Sequence, residues 1–146
     1  MPSLEAAQTA SLPALTPEQK HLVQESLAAI EANADHIVQS FYARLFELNP
    51  KAKALFKGDL KEQGRKLIGM IRTTIGSLDR LEAIAPNLKL LGNAHRLIGV
   101  SDRDYEPFKE ALLSTLAQNL KSAFTPKVRD AWSAVFEVFA SIMIGK

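Results

Sequence analysis

From Thr16 to the C-terminus the apolar residues of this chain recur every three or four positions and nowhere alternate. That is the spacing of helices with one buried face, and it leaves no pattern for a half-buried strand. Ile37, Val38, Phe41, Tyr42, Leu45 and Phe46 keep the pattern through successive turns. Start signals cut it into segments. Thr16-Pro17-Glu18-Gln19 reads as an N-cap, a first-turn proline and a capping-box glutamine. Asn49-Pro50 ends one helix, and Pro50 opens a short one that closes near Phe56. Gly58-Asp59 caps the next, whose inner face runs Leu60, Gln63, Leu67, Ile71, Thr74 or Ile75, and Leu78. Pro86 begins another, Ser101 or Asp102 caps the one after, and Thr125-Pro126 starts the last. The predicted class is all-α, with six or seven helices in one domain over residues 16–146. Residues 1–15, rich in Ala, Ser, Thr and Pro, read as a flexible N-terminal arm.

Composition excludes several classes of function. With 47% hydrophobic residues in 146, there is material for one core and one cavity. The 18 basic and 16 acidic residues are spread along the chain, so no stripe for nucleic acid is expected. The absence of cysteine removes disulfides, thiolate metal sites and thiol nucleophiles. No apolar run approaches the ~20 residues of a membrane span. No basic residue precedes Lys20, so a secretory leader is not expected either. A soluble, cytoplasmic protein is the expectation.

The stretch from Leu90 to Val100 sets His95 on the apolar face of a helix. Such an imidazole is either a hydrogen-bonded core residue or an axial metal ligand. As a ligand, its second ring nitrogen needs an acceptor, and the Leu91 carbonyl one turn earlier is the candidate. His21 and His36 have charged neighbours on early helices and read as surface residues.

Four features, in this order, resemble the bacterial single-domain globins and the haem domain of flavohaemoglobins. They are Phe41-Tyr42, then Asn49-Pro50 with Phe56 six residues on, then Glu62-Gln63-Gly64-Arg65-Lys66-Leu67, then His95, 32 residues after Gln63. The resemblance runs from about Leu15 to the end. It implies a globin fold around a pocket for haem b, with His95 binding the iron. Covalent attachment is not expected, because Cys-X-X-Cys-His is missing. The resemblance places Phe56 against the macrocycle, Leu67 at the back of the pocket and Lys66 near a haem propionate. Leu91, Ile98, Val100 and Phe108 follow as apolar haem contacts. Tyr42 and Gln63 become the donors on the ligand side, through a hydroxyl and an amide. A hydrogen bond to a charged partner is worth roughly 1.5–3 kcal/mol. One such bond slows ligand release about ten- to a hundredfold.

The implied function is reversible O2 binding, with high affinity and slow release, at a five-coordinate iron. The alternative is a nitric oxide dioxygenase, turning NO and O2 into nitrate. Flavohaemoglobins carry a flavin reductase domain that this sequence does not contain, so a separate reductase is the expected partner. A gas sensor or redox protein is the third reading, and CO a further ligand. The family also uses Tyr105 and a late Glu to polarise the iron-binding histidine. Counted from Trp132, that Glu falls just beyond Lys146, so peroxidase-like O–O cleavage is not expected. No histidine stands near Gln63, which argues against a bis-histidine iron. Tyr42 and Lys66 are the candidates to ligate ferric iron at high pH.

Overall fold

The computed structural model describes residues 15–56 and 58–145. They form seven α-helices and three short 3-10 turns. The helices are α1 (Pro17–Ala32), α2 (Ala34–Leu48), α3 (Ala52–Leu55), α4 (Leu60–Gly76), α5 (Leu81–Leu97), α6 (Tyr105–Leu120) and α7 (Pro126–Ile144). Residues 1–14 of the expected arm lie outside the described residues.

The helices begin where the chain supplies acceptors for their free N–H groups. Gln19 N–H donates to the Thr16 hydroxyl at 3.0 Å, and Thr16 N–H donates back to the Gln19 side chain at 3.1 Å. Asp59 accepts from Lys61 N–H at 2.9 Å, and Thr125 from Val128 N–H at 3.3 Å. Two expectations fail. Pro86 sits inside α5, which begins five residues earlier at Leu81, directly after the 3-10 turn Leu78–Arg80. The proline removes its own bond to the Glu82 carbonyl, and Glu82 is exposed, so water can take that carbonyl. Leu60 is 39% exposed rather than on the inner face, because it opens α4 before the helix meets the core. The buried positions of α4 are Gly64, Ile68, Thr74 and Ile75.

Packing explains this rotation. A Cβ at Gly64 would collide with the Val38 side chain, so α4 lies hard against α2 at that glycine. Gln63 and Leu67 are thereby turned away from α2 and toward open space. Elsewhere α2 crosses α6, while α1 and α5 both lie on α7. Phe41, Leu45, Ile75, Leu116 and Val135 are fully buried at these contacts. Each contributes about 1.5–3 kcal/mol of apolar burial. The Phe41 ring meets Phe108 edge-on at 4.8 Å, and Phe108 stacks on Phe136 at 6.0 Å. Trp132 satisfies its one polar atom by donating to the Ser26 hydroxyl at 2.8 Å, which ties α7 to α1.

Candidate functional site

The helices enclose a cavity of about 350 Å³. Gln63, Leu67 and Ile71 of α4 form one wall, and His95 with Ile98 and Val100 another. Phe56 closes the α3 side, and Phe108, Trp132, Phe136 and Met143 form the floor on α6 and α7. Seven residues singled out in the sequence therefore meet on one surface: Phe56, Gln63, Leu67, His95, Ile98, Val100 and Phe108.

Three do not. Tyr42 is buried off the cavity lining, where it meets the Phe56 ring edge-on at 5.2 Å and stacks on Phe46 at 5.9 Å. Among the described residues its hydroxyl has no hydrogen-bond partner. Burial pushes its pKa up to about 12, so the phenol keeps its proton and offers a donor. Lys66 stands exposed on the outer flank of α4. Leu91 is turned toward α7, where it packs on the cluster of Leu88, Val138, Ile142 and Met143.

His95 is half-buried, and desolvation lowers its pKa, so the neutral imidazole is favoured. A neutral ring offers a lone pair to a metal. Among the described residues the ring makes no hydrogen bond, and the Leu91 carbonyl expected to hold it is the helical partner of the His95 backbone N–H. No group of three or more His, Asp or Glu converges among the described residues. The lining is mostly apolar, its polar members apart from His95 being Asn49, Gln63, Asp104 and Tyr105, and no ligand set for a bare ion forms among them. A metal carried in a large apolar macrocycle needs only one protein ligand and wants that lining, so these residues fit a haem.

A model of the globin family matches residues 39–143. This chain belongs to the globin family. It is 30% identical over 134 residues to a flavohemoprotein of Deinococcus radiodurans, covering 90% of this globin and 33% of that protein. It is 29% identical over 128 residues to a flavohemoprotein of Rhodopirellula baltica, covering 86% of this globin and 31% of that protein. The globin thus spans about a third of the length of the curated relatives it matches. Among solved structures, an engineered carbene transferase from Rhodothermus marinus, nominally a nitric oxide dioxygenase, superposes with a TM-score of 0.79 at 22% identity. That superposition covers 89% of this globin and 91% of the other chain, and it shows a shared fold. No described helix is long and apolar enough to cross a membrane.

The globin's wall also holds a polar cluster that sequence reading missed. Asn49, at the end of α2, donates to the buried Asp104 carboxylate at 3.0 Å, and Lys51 pairs with it at 3.2 Å. Ser101 N–H donates to the same carboxylate at 2.8 Å. Burial alone raises the Asp104 pKa, but the bonds from Ser101, Asn49 and Lys51 outweigh it and hold the carboxyl below its usual range. The cluster fastens the corner that carries Phe56 to the start of α6. Its partners lie 55 residues apart, so no local pattern announces it.

Proposed function

We propose that this globin binds haem b through His95 and reversibly holds O2 on the face that Gln63 overlooks. The observation behind this reading is the pairing of a neutral imidazole and the Gln63 amide on walls of one mostly apolar cavity. Haem, when bound, supplies the iron that takes O2. The chain supplies the rest. His95 would hold the iron, and it is the one histidine among the described residues that line the cavity. Phe56, Leu67, Ile98, Val100 and Phe108 exclude water and wrap the macrocycle. Lys66, exposed on α4, is the proposed partner for a haem propionate.

Gln63 is the first hydrogen-bond donor to the ligand, because its side chain is on the cavity wall. Tyr42 is the second proposed donor; it lies off the cavity lining, edge-on to Phe56. This order gives a test. Replacing Gln63→Leu should speed O2 release by about tenfold or more, the cost of one good donor. The Tyr42→Phe change should do less. Stopped-flow O2 off-rates read both, and an unchanged rate in Gln63→Leu would refute the assignment.

The second reading is nitric oxide dioxygenase activity with a separate reductase. It is favoured by the likeness to flavohemoproteins and to the Rhodothermus enzyme named for that reaction. Sustained nitrate formation from NO under a reductase supports it. A single turnover that then stalls supports O2 binding alone.

A further inference from the structure

Helix α5 carries His95, and its main packing partner is α7. Besides the apolar packing of Leu88 and Leu91 on α7, two contacts of that attachment flank the imidazole, one on either side. Three residues before His95, Gly92 is buried against the α7 backbone. A Cβ there would collide with the Met143 carbonyl oxygen and sit 2.7 Å from its carbonyl carbon. The obstacle is backbone, so no rotamer change relieves it. One residue after His95, the Arg96 guanidinium donates to the Ile144 carbonyl at 3.3 Å. That carbonyl belongs to the last turn of α7 and has no partner within its helix. The cation also meets the negative end of the α7 dipole. A second nitrogen of Arg96 donates to the Asn93 side chain, which steadies the guanidinium against α5.

Gly92 and Arg96 stand four apart and share a face of α5, with His95 on the adjoining face toward the cavity. We propose that the last turn of α7 is the positioning element for His95, gripping α5 through Gly92 and Arg96. Met143 connects the grip to the cavity. Its backbone meets Gly92, its side chain lines the wall, and its sulfur accepts the Tyr105 hydroxyl at 3.9 Å. A shift of α5 along α7 therefore moves the imidazole relative to whatever the cavity holds. Gly92 and Arg96 are positioning residues, and neither binds the iron. The inference rests on the haem reading above.

The test uses haem-loaded protein as wild type, Gly92→Ala, Arg96→Ala and Arg96→Lys. Resonance Raman reads the iron–histidine stretching band of the ferrous form, and transfer to a scavenger globin reads haem loss. Gly92→Ala and Arg96→Ala should shift and broaden the band and speed haem loss by about ten- to a hundredfold, the usual cost of a lost outer support at a metal site. Arg96→Lys keeps a charged donor for the Ile144 carbonyl and should return the band most of the way. If Gly92→Ala does not fold, the two Arg96 variants carry the test. Unchanged bands with only a lower Tm would overturn the proposal, since a purely structural role predicts that. Wild type that loads haem beside indistinguishable variants overturns this inference alone. Wild type that takes up no haem overturns the haem reading and this inference with it.

Discussion

Where α2 crosses α6, the wall behind the cavity is solid: Phe41, Leu45 and Leu116 are fully buried, and Phe41 and Phe108 interlock edge-on. Across the cavity, α5 and the residue that caps it leave Leu90 67%, Leu97 88% and Ile98 59% exposed. Its largest buried side chain is Leu88, and α7 is its chief support. The first region is held by its own packing around Phe41 and Leu116, and it meets the cavity along Leu45, Phe108 and Leu112. The second is half a packing arrangement, with His95 and Ile98 facing the cavity. A globin that binds haem through α5 can keep its scaffold while the ligand-bearing helix depends on what the cavity holds.

The largest effect that can break this comparison is Phe41→Ala. It should cost about 3–5 kcal/mol, the usual range for emptying an aromatic core site. Denaturant unfolding measures it, and a cost under about 1 kcal/mol would mean the crossing is not the solid side. Asp104→Asn comes next, at about 1–3 kcal/mol, because the buried site loses a charged acceptor shared by Asn49, Lys51 and Ser101. Its wild-type contribution has a definite pH sense. The carboxyl is held below its usual value in the folded state, so the stabilisation is full above about pH 4 and lost as pH falls through the folded pKa.

Hydrogen exchange on haem-free protein sharpens the contrast further. Amides of α5 should exchange well before those of α2 and α6, and adding haem should slow α5 most. Equal protection in all three helices would remove the distinction. The pH dependence of His95 is gentler. Its folded pKa is depressed, so its contribution is intact above the ordinary value of about 6.5 and declines as pH falls below it, when the unfolded chain takes the proton first. Haem retention should weaken over the same window, since a proton and the iron compete for one nitrogen. The smallest effect is Leu97→Ala, within about 0.5 kcal/mol in haem-free protein, as for an exposed side chain.

Periodicity and capping made the helices legible: Thr16, Asp59 and Thr125 cap as their side chains predict. Pro86 misled because a proline reads as a first-turn residue or a break, whereas here the helix from Leu81 continues through it. The cavity was legible where one helix face supplies it, as at Gln63, Leu67 and His95. It was not legible where helices meet. Tyr42 shares a helical face with Leu45, yet Leu45 lines the cavity while Tyr42 packs edge-on against Phe56 from another element. Leu91 shares a face with His95, but α7 occupies it. Gly92, Met143 and the Asp104 cluster are long-range contacts with no local signature.

The account stands most directly on His95 and the cavity, and a haem titration tests both. Wild-type protein and His95→Ala would be titrated with haem b, reduced, and their absorption spectra recorded with and without O2. The prediction is stoichiometric uptake by wild type, a five-coordinate ferrous spectrum, and a change on O2 that reverses when O2 is removed, with His95→Ala losing the spectrum or the haem. Identical spectra from the two proteins, or a wild type that takes up no haem, would contradict it.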